Sequence, residues 1–303
     1  MLTSLERYLM SLRPYQRVAY ESCINNERGI INHVCGTGKT RIEVALALTY
    51  KTSIVIAPRN SLISQHQELF ETVIKHFNFN TKIFIINCEN DIPKYNYDGN
   101  CVYIVNNSSL KNVIFENVIV PDVIIVDEAH THQSSVKNFC MKFQDVRRYF
   151  FTATPQDMTS DFYGSTLDTF SYVQARDLGI VCDFRIVPIF DDANYDKELI
   201  TKMMKYDLRH CIHYYKDVKN DLKEGWNKFK NIRNSMKLTG KTSIEERTKI
   251  FEKFKKSTCN LLSCKTISYG IDIHECDCVF LKYIGEGIPD TIQKMMRAVR
   301  KDI

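Results

Sequence analysis

Several absences narrow the class of this chain before any motif is read. No stretch of its 303 residues approaches the roughly 18 consecutive apolar residues of a bilayer-spanning helix, so no membrane partner is expected. The opening residues Met1–Arg7 lack the basic start and apolar core of a secretory signal. No Cys-x-x-Cys pair occurs. Zinc-ligand spacing is also missing around Cys259, Cys264, His274, Cys276 and Cys278, so these cysteines are expected to be free thiols in a core. Cysteine itself is plentiful, but the count of 11 is odd and Cys35 lies in a glycine-containing loop, which argues against a disulfide framework. A reducing intracellular compartment is expected, cytoplasm or nucleus. The Asn-, Lys- and Ile-rich composition is compatible with a large DNA virus, and so with an infected cell or virion. Internal repeats and low-complexity blocks are missing too. The net charge of +5 is too mild to identify a polyanion partner. Lysines crowd the stretch from Lys202 to Lys256, but acids such as Asp217 and Glu224 are mixed among them, and a solvated helix face explains them equally well.

What is present is a globular composition, 44% hydrophobic and 25% charged, in a chain long enough for about two domains. Strand-like runs at Ser53–Ala57, Lys82–Ile86, Val102–Val105, Val123–Val126 and Arg148–Thr152 alternate with helix-like segments such as Ser61–Phe77. That alternation predicts an α/β fold, a mainly parallel sheet with helices on both faces. Phe184–Ile189 also reads as a strand, before the polar turn at Asp191–Asn194. A second alternating set includes Arg209–Tyr215, Asn260–Ser263 and Cys278–Leu281. The boundary is expected near Gly179, giving domains 1–180 and 181–303.

Two motifs carry chemistry. Residues 33–40 read His-Val-Cys-Gly-Thr-Gly-Lys-Thr between the apolar Gly29-Ile30-Ile31 and a helix-like run, Arg41–Leu48. In the order strand, glycine turn, helix, Cys35, Gly36, Thr37 and Gly38 would let backbone N–H groups converge on phosphates at a helix N-terminus. Lys39 would reach the β- and γ-phosphates and the Thr40 hydroxyl would ligate magnesium, so ATP and Mg2+ are the expected cofactors. His33 stands where the usual loop has its first glycine. The same tripeptide at Gly240-Lys241-Thr242 lacks the upstream loop and strand, and is expected to be a plain turn. The second motif is Asp127-Glu128-Ala129-His130, directly after the apolar run Val123–Val126. Such a run suits a buried parallel strand, and ligands of open α/β sheets bind at the carboxyl ends of strands. Asp127 would hold hydrated magnesium and Glu128 would orient and deprotonate the attacking water.

These motifs, with six further segments, resemble those of superfamily 2 helicases and translocases along nearly the whole chain. Arg13-Pro14-Tyr15-Gln16 resembles the segment whose glutamine reads adenine, which implies that role for Gln16. Ala57–Leu62 and Val105–Leu110 resemble strand-contacting motifs. Phe151-Thr152-Ala153-Thr154-Pro155 resembles the motif that links hydrolysis to domain movement, with His130 and Gln293 as further coupling residues. Ile267–Ile273, with Gly270 and Asp272 near the nucleotide, resembles motif V. Gln293–Arg300 resembles motif VI, whose arginines would be Arg297 and Arg300, and their spacing would put both on one helix face. The resemblance implies two RecA-like P-loop NTPase domains and an ATP-driven helicase or duplex translocase. Its nucleic-acid contacts would be at Pro58, Arg59, Asn106, Ser108 and Thr266.

Two departures stand out. Met296 replaces the glycine expected before the first arginine, and the sequence stops three residues after Arg300, so the chain is expected to be either a fragment with its second domain truncated or an unusually short member. Gly270 to Gln293 spans 23 positions (293 − 270), short for the RNA helicases that share Asp-Glu-Ala-His, and this favours DNA over RNA as partner. A nucleic-acid-binding scaffold of the same fold with weak ATPase is the main alternative. An unrelated loop-containing kinase would leave the later motifs unexplained. Protein partners are not legible.

Overall fold

The computed structural model describes residues 2–86, 97–110, 120–131, 133–156, 158, 161–189, 195–264, 275–282 and 287–299. The chain divides into two compact units, Met1–Ala175 and Arg176–Ile303. Among the described residues, no helix is long and apolar enough to cross a membrane.

The first unit opens with two helices whose starts are written in the sequence. Helix α1 (Ser4–Ser11) begins with a reciprocal capping box between Thr3 and Glu6, and α2 (Pro14–Ile24) begins with proline, whose missing N–H costs nothing there. There follow β1 (Arg28–His33), α3 (Lys39–Thr49), β2 (Thr52–Ala57), α4 (Asn60–Phe77), β3 (Thr81–Ile86), β4 (Asn100–Asn106), β5 (Val123–Val126), α5 (Gln133–Cys140), β6 (Arg147–Thr152), β7 (Thr166–Phe170) and α6 (Tyr172–Asp177). The seven strands lie in the order β3-β4-β2-β5-β6-β1-β7, and every pair is parallel.

Period-two alternation sends successive side chains of each strand to opposite faces. On one face Val55, Val123, Ile125, Tyr149 and Phe151 pack with Tyr8 of α1, Ala19 of α2, Ile42–Leu48 of α3 and Phe70 of α4. On the other, Ile54, Ile56, Ile124, Val126 and Phe150 pack with Val136 and Phe139 of α5. Burial on both sides explains why β5 reads as an unbroken apolar run. Helix α3 is buried at every position from Ile42 to Leu48, and one of these, Glu43, is a carboxylate.

The second unit contains α7 (Tyr195–Lys205), β8 (His210–Tyr214), α8 (Asp221–Phe229), β9 (Met236–Leu238), α9 (Ile244–Lys256), β10 (Cys259–Ser263), β11 (Cys278–Leu281) and α10 (Ile288–Met295), which leads into a 3-10 turn at Met296–Val299. Its strands run parallel in the order β11-β8-β10-β9. Gly240-Lys241-Thr242 is a turn, closed by the Thr242 N–H donating to the Thr239 carbonyl at 3.1 Å. The run Phe184–Ile189 is not a strand: among the described residues it has no ladder partner, it is mostly exposed, and Pro188 removes one of the donors a central strand would need. Strands β7 and β9 have no clear sequence signal, because β7 is polar and partly exposed and β9 is only three residues long.

The packing of α4 on the sheet yields a stability test. Phe70→Ala should cost about 3–5 kcal/mol, because a fully buried ring leaves a cavity between the helix and the sheet. Urea unfolding followed by circular dichroism should show an earlier transition for the first unit. An unchanged midpoint would contradict the packing.

Candidate active site

The loop between β1 and α3 is shaped by two glycines in the left-handed region, Gly36 at φ 84° and Gly38 at φ 74°. Gly38 is also the N-cap of α3, with no side-chain cap among the described residues, and the Arg41 N–H turns back to the Gly38 carbonyl at 3.0 Å. A Cβ on Gly38 would meet the Gln16 amide nitrogen at 2.6 Å. Gln16 is itself buried. Its Nε2 donates to the carbonyls of Thr37 (3.0 Å) and Gly38 (3.3 Å), while its Oε1 accepts from the Arg13 N–H (3.0 Å). Tyr15 donates its hydroxyl to the same Thr37 carbonyl at 2.8 Å and stacks on Phe170 of β7 at 4.1 Å. Both hydrogens of the Gln16 amide are therefore committed to the loop backbone. Thr37 completes the turn by donating its hydroxyl to the Val34 carbonyl at 2.7 Å.

His33, at the position where glycine was expected, lies 2.7 Å from Asp168 of the neighbouring strand β7. Burial lowers its pKa more than Asp168 raises it. This pair, buried at its histidine, ties β1 to β7 just before the loop.

Lys39 is half-buried and donates to the His33 carbonyl at 3.1 Å. Burial works against its charge, but Cys35, Glu128, Asp127 and Glu43 outweigh burial and hold its pKa above the ordinary lysine value. Thr40 follows it in the first turn of α3. Asp127 emerges from β5 with its N–H bonded to the Ile56 carbonyl, and its Oδ1 accepts from the Glu128 N–H at 2.8 Å. Its carboxyl is pushed up to about 6, first by burial and then by Glu43, with His66 and Lys39 opposing. Glu128 takes a left-handed backbone at φ 46°, which turns the chain away from the strand direction. The Nδ1 of His130 lies 3.6 Å from Glu128 and 2.9 Å from the Thr152 hydroxyl. That hydroxyl in turn accepts from the Thr154 N–H at 3.0 Å, with half-buried Ala153 between. The carboxyl edge of one sheet thus brings Gln16, Lys39, Thr40, Asp127, Glu128, His130 and Thr152 together.

Two residues at this edge were not singled out in the sequence, Glu43 of α3 and His66 of α4. His66 Nε2 lies 2.7 Å from Glu43 and 3.8 Å from Asp127, and all three side chains are buried. Their donor atoms lie within 4.8 Å of one another. The available signals were an acid inside the otherwise apolar run Ile42–Leu48 and a histidine on the stripe Ile63, His66, Phe70, Val73.

The expected strand contacts divide. Arg59 and Ser108 are exposed, whereas Pro58 and Asn106 are buried. The Asn106 amide bonds to Asn60, and its carbonyl oxygen accepts from the Ser108 N–H and hydroxyl, so it fixes local structure. In the second unit Gln293 is buried on α10. Arg297 and Met296 are also buried, and Arg297 sits in the 3-10 turn after α10 and not on an α-helical face. Thr266, Gly270, Asp272, the rest of Ile267–Ile273 and Arg300 lie outside the described residues. Among the described residues, the cysteines around β10 and β11 form no metal-binding group.

The family described as "Type III restriction enzyme, res subunit" matches residues 9–157, and "Helicase conserved C-terminal domain" matches residues 196–302. No curated protein matches the chain by sequence. Similar solved structures include a fragment described as an HsdR subunit of a type I restriction enzyme from Vibrio vulnificus YJ016. It has TM-score 0.75 and 16% identity, over 97% of this chain and 63% of that one. S. cerevisiae Dbp5 bound to RNA and ADP BeF3 has TM-score 0.67 and 16% identity, over 98% and 84%. The Type ISP restriction-modification enzyme LlaBIII bound to DNA has TM-score 0.69 and 15% identity, over 96% and 27%. At these identities the likeness shows the fold, two RecA-like helicase domains built on mainly parallel sheets. The chain spans less than two thirds of the HsdR fragment and about a quarter of LlaBIII.

The buried histidine gives a pH prediction. His66 is raised from 6.5 to about 9: burial alone would lower it, but the bond and charge of Glu43, then Asp127, outweigh burial. A raised folded-state pKa means that the stability from charged His66 is complete below about pH 6.5 and is lost as pH rises through about 9. Asp127, raised from 3.8 to about 6, titrates below that window. Thermal melts should therefore show wild-type stability falling between pH 6.5 and 9 more steeply than that of His66→Gln. Parallel curves would contradict a charged His66.

Proposed function

We propose that this chain, a member of superfamily 2 of the helicases, hydrolyses ATP and uses the cycle to move along nucleic acid, DNA in preference to RNA. The observation that carries this reading is the meeting of Lys39, Asp127, Glu128, His130 and Thr152 at the carboxyl edge of one parallel sheet. The loop fits a triphosphate: it is open at exposed Gly36, has no Cβ at Gly38, and leads into an uncapped helix N-terminus beside Lys39. The oxygen donors Thr40 and Asp127 suit Mg2+, and the burial that disfavours a charged Asp127 would be offset by a cation there. Magnesium, when bound, neutralises charge on the phosphate oxygens.

The protein's own groups do the rest. Lys39 pairs with the β- and γ-phosphates, releasing the His33 carbonyl. Glu128, turned outward by its left-handed backbone, orients the attacking water and takes its proton. His130 and Thr152 link Glu128 to the Thr-Ala-Thr segment, so occupancy of the site can be felt at the end of β6. Arg297, and Arg300 beyond it, act on charge that develops on the transferring phosphoryl group. Exposed Arg59 and Ser108 are candidates for phosphate contacts with the strand. The preference for DNA is supported by the res-subunit family of the first domain and by the short spacing from Gly270 to Gln293. The RNA-bound relative is the observation on the other side.

ATPase assays with single-stranded DNA, duplex DNA and RNA test this reading. DNA should stimulate most, and binding should weaken steeply with salt because phosphate contacts dominate. Lys39→Ala should abolish measurable ATP binding. Glu128→Gln should bind ATP normally and turn over about 10²–10⁴-fold more slowly. Arg297→Ala should slow stimulated hydrolysis by on the order of 10³ with little change in affinity. Normal affinity in Lys39→Ala, or near-normal turnover in Glu128→Gln, would overturn the assignment. ATP binding with no stimulation by any nucleic acid would favour the scaffold reading.

A further inference from the structure

The Glu43–His66 pair has no part in the chemistry described above, yet it lies against the carboxylate assigned to magnesium. Glu43, His66 and Asp127 are 0%, 1% and 6% exposed. Burying two carboxylates this closely is costly, and among the described residues the Oε1 of Glu43 has no hydrogen-bond partner. Two apolar side chains would pack there at less cost, so the pair needs a reason beyond stability.

Geometry supplies one. The Nδ1 of His66 lies 2.8 Å from the Leu62 carbonyl, an acceptor, so it carries a hydrogen. Nε2 lies 2.7 Å from Glu43 Oε2 and 3.8 Å from Asp127 Oδ2, both acceptors, so it carries one as well. The ring is therefore a cation between two carboxylates, fixed by its own helix on one side and by α3 on the other. Asp127 is addressed from two directions: the Glu128 N–H holds Oδ1, and His66 faces Oδ2.

We infer that Glu43 and His66 are positioning residues for Asp127. His66 orients the Asp127 carboxylate, and Glu43 orients His66 and balances its charge. The inference rests on the proposed nucleotide site, because it presumes that Asp127 holds magnesium. The three elements joined at His66 are α3, which starts at Lys39, α4, which starts directly after exposed Arg59, and the end of β5. The phosphate loop, the candidate strand-contacting segment and the magnesium carboxylate thus share one imidazolium. Removing an outer partner of a metal ligand typically weakens metal affinity about 10–100-fold.

The test is the Mg2+ dependence of binding of a fluorescent ATP analogue to the full chain, read without turnover. Wild type, His66→Gln and the double variant Glu43→Gln/His66→Gln are compared, with thermal melts confirming that each is folded. His66→Gln leaves Glu43 and Asp127 facing each other without a cation. It should raise the Mg2+ concentration for half-maximal binding about tenfold or more, with near-normal affinity at saturating Mg2+. The double variant lacks the same orienting ring and should match His66→Gln to within about threefold, because Glu43 acts only through His66. Unchanged Mg2+ dependence in His66→Gln, or a double variant restored to wild-type dependence, overturns the inference while leaving the proposed function standing. If His66→Gln does not fold, the double variant decides alone: about a tenfold loss supports the inference and near-wild-type dependence overturns it. If the wild-type chain shows no Mg2+-dependent binding, the proposed function falls and this inference falls with it.

Discussion

A parallel sheet covered by helices on both faces offers charge very few places to gather, and in the first unit the carboxyl edge is that place. Strands β1, β6 and β5 are adjacent and parallel, so the loops leaving them emerge side by side. Their apolar interiors force the polar residues of the motifs out to the ends. The result is one lysine, Lys39, whose pKa Cys35, Glu128, Asp127 and Glu43 together raise against the penalty of burial. That concentration of opposite charges in a poorly solvated edge is the electrostatic setting that phosphoryl transfer needs.

The loop itself is built before any ligand arrives. Tyr15 and Gln16 both donate to the Thr37 carbonyl, and Gln16 adds the Gly38 carbonyl, so the loop's carbonyls are turned toward α2. The stack of Tyr15 on Phe170 and the His33–Asp168 pair anchor the same corner through β7. Gly38 is required twice over, by its left-handed φ of 74° and by the Gln16 nitrogen occupying the space of a Cβ. The loop is thereby organised in advance, which would lower the entropy lost in holding a nucleotide as proposed.

Much of this was legible in the sequence, and the reasons differ by element. Strand β5 was plain because burial on both faces makes it continuously apolar, and the loop was plain because its glycines and lysine have no substitutes. Strand β7 was hidden because its residues are mixed and half-exposed, although it carries Asp168 and Phe170, which support the loop. Phe184–Ile189 misled because alternation alone does not supply a ladder partner. Glu43 and His66 were overlooked for a more instructive reason: each sits on an apolar helix stripe, where single-residue reading assigns a packing role, and their meaning appears only when α3 and α4 are placed together. Of the expected strand contacts, Asn106 and Pro58 are buried while Arg59 and Ser108 are exposed, a difference that the segments alone do not reveal. The two family models place residues 9–157 and 196–302 in the same helicase framework.

The central claim is that the loop after β1 is a preformed triphosphate cradle with room only for glycine at position 38. Calorimetric titration of wild type and Gly38→Ala with a non-hydrolysable ATP analogue and Mg2+ tests it most directly. Saturable binding by wild type, lost in a Gly38→Ala variant that still melts cooperatively, is the predicted result. Equal affinity in the two proteins would show that nucleotide does not sit in this loop, and would contradict the account.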